Sequence, residues 1–425
     1  MRWLRRARQD FSGWNRNVRL FFLANLFYQI GNGMFSVLYN LYVHSLGYGQ
    51  GMIGSIVSVQ SLAAALMIIP IGLLGDRSSR KIILTIGMLI TGFSFMGSSF
   101  AQSEFGLRGF AITSGLFTAF FQVTAVPYLA ANSTKEQRLR LFSFHFSVML
   151  AAQVIGSFGG GLLGDLLQQL GWSETSSLRG ALMLGGLMSI VASAPLLLVR
   201  ERIGGKGKSA ETITVRLKPP QSAADRTSQR AEWTLISKIT FTQLLIGFGS
   251  GMVVPYLNIY FSDRFTVSLS AIGLLISLGQ IMTVISMLIG PTLVNKVGQV
   301  RAIVLFQLLS LPFLLLTGFT NLLLVAGIAF LFRQALMNAA NPIQSSLLVD
   351  RISDSRRGVA NSLTQTVFML GWASMGQVQP RIIEHYGTYW GYVVTFSITG
   401  LLYVSSATYY YFIFRVKPQT ARPGV

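Results

Sequence analysis

"GLLGDRSSRKIIL" (residues 72–84) closes one apolar run and opens the next, with Asp76, Arg77, Arg80 and Lys81 packed between them. The apolar stretches on both sides are about 20 residues long, the length that crosses a hydrocarbon core of about 30 Å. Each of the four charges would cost a few kcal/mol inside lipid. The stretch therefore reads as a tight loop pinned at a membrane surface between two spans, and the rest of the chain is read outward from it.

Of the 425 residues, 51% are hydrophobic and 11% charged, far below the roughly 25% charged residues of a soluble domain. Such a chain cannot hide its apolar surface in a water-soluble core. Apolar runs between charged or Gly/Pro/Asn-rich punctuation predict twelve spans, near 18–45, 51–75, 81–102, 106–131, 140–165, 179–199, 236–262, 269–294, 300–318, 320–349, 357–382 and 388–414. The net charge of +20 invites a nucleic-acid partner, but its distribution excludes one. All but five of the 34 Lys and Arg residues fall in segments that twelve spans place on one side, the exceptions being Arg108, Arg179, Arg264, Arg381 and Arg333. That asymmetry is the positive-inside rule, and it predicts a multi-pass protein of a plasma membrane of the bacterial inner-membrane type with both termini cytoplasmic. The basic start precedes an apolar run too long for a signal-peptide core and reads as a retained tail.

The strongest interruption is 200–235, polar, basic and carrying Pro219 and Pro220. It predicts a cytoplasmic linker between a six-helix bundle at 1–199 and a second at 236–425. The bundles resemble each other. "GNGMFSVLYNLY" (31–42) matches "GSGMVVPYLNIY" (249–260) at an offset of 218, and at 219 Ile53-Gly54 matches Ile272-Gly273, Leu74 matches Leu293, and Arg138 and Ser143 match Arg357 and Ser362. Chance likeness between greasy helices would scatter its offsets, so the chain reads as a duplicated unit.

With these features in place, the opening stretch resembles the signature of the major facilitator superfamily (MFS), approximately GxLADRxGRRxxL. Gly72, Leu74, Asp76, Arg77, Arg80, Lys81 and Leu84 fit it, Gly75 replaces the small Ala, and Ser79 stands where the family has a second Gly. The counterpart in the second half, "LVNKVGQVR", keeps Gly298 with Asn295 for the acid and Lys296 for the Arg. The resemblance implies an all-α integral membrane fold of twelve transmembrane helices in two pseudo-symmetric six-helix bundles, and alternating access around a central cavity. Within it these residues form a conformational latch, with Asp76 accepting from the free N–H groups that begin span 11 near Arg357 and Gly358. The alternative is that the charges only enforce topology.

Asn25, Gln29, Asn32, Ser36 and Asn40 fall along one stripe of span 1, and a polar stripe in lipid must face protein or water. It serves either helix-to-helix hydrogen bonding or a cavity. Asn32 and Asn40, with Asn258 as the repeat partner of Asn40, are the expected solute contacts, joined by Arg333, Gln334 and Asn338 in span 10. Arg333 must find a carboxylate, carbonyls, water or a substrate anion. In span 5, Gly156, Gly160, Gly161 and Gly164 make a close-packing face. "GSFGGG" there resembles a weakened GPxxGG motif of drug/proton antiporters in the superfamily, with Ser157 for the Pro. Asp165 and His145, at the two ends of that span, are the candidate protonation sites.

Phosphate-loop spacing, a nucleophile elbow and metal-ligand spacing among the three His residues are all missing from the sequence, so no cofactor, no metal and no enzymatic activity are expected. The chain is expected to be a monomeric secondary transporter in the lipid bilayer. It would export a small organic molecule as an ion-gradient-driven antiporter, with protons as the coupling ion. The alternatives are an importer of a sugar-like or anionic nutrient and, from another class, a membrane enzyme or a non-transporting sensor.

Overall fold

The computed structural model describes residues 14–200 and 223–414, apart from some side chains, which include those of 75–77, 135–140 and 357–358. All twelve predicted positions are helical. The first six are α1 (Arg16–Ser45), α2 (Gln50–Arg77), α3 (Arg80–Phe100), α4 (Glu104–Ala131), α5 (Lys135–Gln169) and α6 (Glu174–Val191), the last followed by a short α7 (Ser193–Leu197). The second six begin with α8 (Ala223–Val253), which a 3-10 turn at Val254–Tyr256 joins to α9 (Leu257–Phe265). They continue through α10 (Leu269–Val297), α11 (Gln299–Phe319), α12 (Leu323–Arg351), α13 (Asp354–Met375) and α14 (Val378–Phe414). The helix of the seventh span thus starts at Ala223, inside the polar 200–235 stretch.

Ten of these segments are long and apolar enough to cross a membrane. α13 and α14 are not among the ten. α13 carries Asn361, Thr364, Gln365 and Thr366 and packs between α8 and α2 rather than facing lipid along its length. α14 is interrupted at Gly387, whose φ of 74° is left-handed backbone that a glycine adopts without strain.

Short polar residues set the helix starts. Ser79, Ser103, Ser173 and Ser268 each accept a backbone N–H of the first turn of α3, α4, α6 and α10, satisfying donors that the helix itself leaves open. Ser79 therefore does cap chemistry where the family signature has glycine. The short loops make consecutive segments antiparallel, so Arg16, Arg77 and Arg80 share one end of the bundle, here the terminus end, and Ser45 and Gln50 the other, the distal end.

Large aromatics fill the interior of both halves. Phe35 stacks on Phe95 and Tyr39 in the first half, and Tyr260 meets Tyr392 and Phe396 in the second. The outward faces carry exposed Leu66, Ile69, Phe93, Leu288 and Leu324, the apolar coat expected of helices whose solvent is lipid.

Candidate functional site

Between the two six-segment halves, α2 packs on α13 and α5 on α10. Glycines permit the approach: a Cβ on Gly54 would strike the Gly376 carbonyl, and one on Gly273 would lie 2.5 Å from the Ser157 carbonyl. These two contacts are one contact repeated, because Gly273 and Gly376 follow Gly54 and Ser157 by 219 residues each.

Two more pairs obey the same rule. The Ser58 hydroxyl donates to the Ala373 carbonyl at 2.6 Å, and its repeat partner Ser277 donates to the Val154 carbonyl at 3.0 Å. The Asn40 amide donates to the Pro255 carbonyl at 2.7 Å, while Asn258 donates to the Val37 carbonyl, also at 2.7 Å. Proline has no N–H to continue a helix, and the 3-10 turn around Pro255 presents its carbonyl to α1. The seam is thus a pseudo-two-fold clasp, built twice from duplicated residues.

Asp165 adds a charge to it. Its two carboxylate oxygens accept the backbone N–H groups of Leu269 and Ser270 at 3.1 and 2.9 Å, at the start of α10, where the helix dipole favours an anion. Gly161 makes room, since a Cβ there would meet the Leu269 carbonyl. On the α2 side of the seam Gln50 donates to Asp263 at 2.9 Å and accepts from Gln379 at 3.2 Å. These hydrogen bonds from one half to the other lie at the distal end or at mid-depth.

At mid-depth each half keeps its own polar group. In the first, Gln153 donates to Gln29 at 3.0 Å and Gln29 to Asn25 at 3.5 Å, and Asn25 lies 3.4 Å from His145 Nδ1. His145 is therefore a buried end of a hydrogen-bonded string. Asn32 is half-buried and its amide has no partner among the described residues.

In the second half, Arg333 is 4% exposed. It donates to Gln334 at 3.0 Å and to the Tyr403 hydroxyl at 2.9 Å, and Tyr403 in turn meets Ser250 at 2.8 Å. Its Nε has no partner, and neither has Gln280 Oε1; no carboxylate pairs with it among the described residues. The guanidinium thus holds a charge in low dielectric with a donor to spare. Asn338 donates to the Gln334 carbonyl at 2.8 Å, and Gln243 and Gln344 bond at 3.1 Å.

The sequence-predicted residues distribute as follows. Asn40 and Asn258, expected to meet solute, use their amide donors to join the halves, whereas Asn32, Arg333, Gln334 and Asn338 lie at mid-depth. Gly156 and Gly160 pack on α1 at Ile30 and Met34, and Gly161 on α10. Arg80 donates to the Pro127 carbonyl at 3.0 Å, and Lys81 to the Leu197 and Val199 carbonyls at 3.0 and 2.6 Å. Both therefore tie the terminus end of the first half. Gly72 has open space where a Cβ would be, and Gly298, with a φ of 84°, turns the chain from α10 into α11 beside exposed Asn295 and Lys296. The Asp76 and Arg77 side chains, and those of Arg357 and Gly358, lie outside the described residues, and with them the expected latch.

Gln50, Ser58, Asp263, Ser277, Gln379 and Tyr403 were not singled out by sequence. Ser58 and Ser277 were findable, because they share the offset that pairs Gly54 with Gly273. The rest carry no spacing signal.

A family model described as Major Facilitator Superfamily matches residues 21–376 and 239–424. An uncharacterized MFS-type transporter of Methanocaldococcus jannaschii, MJ1560, is 23% identical over 84% of this chain and 88% of its own length. The multi-drug resistance efflux pump PmrA of Streptococcus pneumoniae is 23% identical over 95% of this chain and 97% of its own. Among solved structures, a bacterial homolog of the human lysosomal transporter Spinster, inward-facing and unoccupied, superposes with a TM-score of 0.74 at 15% identity, covering 93% of this chain and 96% of that one.

Proposed function

The chain belongs to the Major Facilitator Superfamily of membrane transporters, and from that premise we propose that it exports a small organic solute by alternating access, driven by an ion gradient. The observation that carries the reading is the repeated clasp at the distal end, with polar groups held apart at mid-depth in the two halves. A clasp made of a few hydrogen bonds between duplicated bundles can be exchanged for an equivalent one at the other end. In this reading the distal end faces outward, both termini lie in the cytoplasm of a bacterial-type plasma membrane, and residues 200–235 connect bundles at 1–199 and 236–425.

Asn32, Arg333, Gln334 and Asn338 are the proposed solute contacts. The spare Arg333 donor favours a solute with a carbonyl, hydroxyl or anionic acceptor. Protons are the proposed coupling ion and Asp165 the exchange group. Its ionised form accepts two N–H groups across the seam, and a protonated carboxyl surrenders part of that bonding. His145 touches only its own half and suits the role less well. The similarity to PmrA over nearly the whole chain supports export. The Arg333 cluster also suits an importer of an anionic nutrient, so direction is the quantity to test. Accumulation of a candidate solute in inside-out vesicles under an imposed proton gradient is expected. Accumulation only in right-side-out vesicles would reverse the assignment, and the gradient dependence is expected to disappear in Asp165→Asn.

A further inference from the structure

At the terminus end, α8 and α14 frame a cavity of about 420 Å³ lined by Arg230, Ala231, Thr234, Leu235, Lys238 and Ile413. Arg230, Thr234 and Lys238 succeed one another every four residues, so they form one stripe of α8. The Thr234 hydroxyl is already spent on the Arg230 carbonyl at 2.8 Å, which leaves the two cations as the donors of the cavity. Neither has an ion-pair partner among the described residues. Nearby Glu232 cannot serve, because it is engaged by Arg356 at 2.5 Å and Ser353 at 2.9 Å.

The depth of this cavity is marked by aromatic residues. Trp233 is 37% exposed, and Tyr409 meets the exposed Phe241 edge-on; Trp and Tyr are the side chains that favour the headgroup level of a bilayer. Lys238 sits about 12 Å further along the helix than Arg230, and its flexible stem lets the ammonium rise toward the same level. Leu235 and Ile413 supply an apolar wall. Two unpaired cations beside such a wall match a phosphate that carries acyl chains.

We propose that this cavity binds the phosphate of an anionic phospholipid, with a chain lying along Leu235 and Ile413. The shared chemistry is a phosphate anion, and a free phosphate would supply it without the chains. The test uses the full chain purified in detergent, with retention of dioleoyl phosphatidylglycerol and of dioleoyl phosphatidylcholine read by native mass spectrometry. Wild type is expected to retain phosphatidylglycerol preferentially. Arg230→Gln/Lys238→Gln is expected to weaken that retention by roughly tenfold while leaving phosphatidylcholine retention unchanged, which also reports that the variant is folded. Lys296→Gln/Arg301→Gln, with the same charge loss elsewhere at this end, is expected to keep the preference. Equal retention of the two lipids by wild type, or equal loss in both double variants, would overturn the site. Displacement of the lipid by millimolar inorganic phosphate would assign the cavity to a free anion and overturn the lipid assignment.

Discussion

Asn40 and Asn258 each contribute one donor to a carbonyl of the opposite half, and in each case the acceptor is the repeat counterpart of the other. Removing either amide loses one hydrogen bond across the seam, a net contribution of about 0.5–1.5 kcal/mol. Asn258→Ala and Asn40→Ala are therefore each expected to shift the balance away from the distally closed state by several-fold, up to roughly tenfold. The chain contains no cysteine, so a single Cys introduced at Gln50 reads that shift as a faster labelling rate with a membrane-impermeant maleimide. An unchanged rate in both variants would remove the clasp from the account. Arg333 makes the opposite kind of prediction. A buried cation without a carboxylate partner is weak evidence for stability, so Arg333→Gln is expected to keep the thermal midpoint within a few degrees and to reduce solute transport by about tenfold or more. A large fall in the midpoint with transport retained by the folded fraction would make the residue structural. The polar stripe of α1 was legible from spacing alone, but spacing could not divide it. Asn25, Gln29 and Asn40 are bonded to protein, and only the positions of neighbouring helices leave Asn32 without a partner among the described residues.

Helix-on-helix approach is set by glycines that the duplication placed twice. A Cβ at Gly54 or Gly273 collides with backbone of the other half, and backbone cannot turn aside as a flexible side chain can. Gly54→Ala and Gly273→Ala are expected to force the distal seam open to similar extents. Gly72→Ala in the same helix as Gly54 meets open space and is expected to leave the seam closed. The measurement is again the labelling rate at position 50, and an effect of Gly72→Ala equal to that of Gly54→Ala would contradict the packing argument. The number and order of the helices were readable from apolar length and charge, because lipid imposes both. The offset pairing of Ile53-Gly54 with Ile272-Gly273 already pointed at a shared role. What the pattern left hidden is that Gly54 faces Gly376 rather than lipid. That depends on which half rotates against which, a tertiary property with no counterpart in helical periodicity. The break at Gly387 was legible only as punctuation between spans.

For the molecule as a whole, the proposed alternating access makes the closed seam at one end and the separate polar groups at mid-depth one of two states. Asp165 and Asp263 are the carboxylates of the seam, and the two hydrogen bonds that a carboxylate at Asp165 accepts contribute about 1.5–3 kcal/mol each, enough for one side chain to bias the equilibrium strongly. The charge asymmetry behind the proposed topology is visible in sequence. The expectation of a cavity between halves came from resemblance, and the seam between them came from the fold. The most direct test is a distance measurement on spin-labelled protein in lipid nanodiscs, using one pair across the distal end, Trp172→Cys with Tyr386→Cys, and one across the terminus end, Ala131→Cys with Arg351→Cys. On introducing Asp165→Ala the account predicts that the distal distance lengthens while the terminus-end distance shortens. A distal distance that stays fixed, or two distances that grow together, would contradict it.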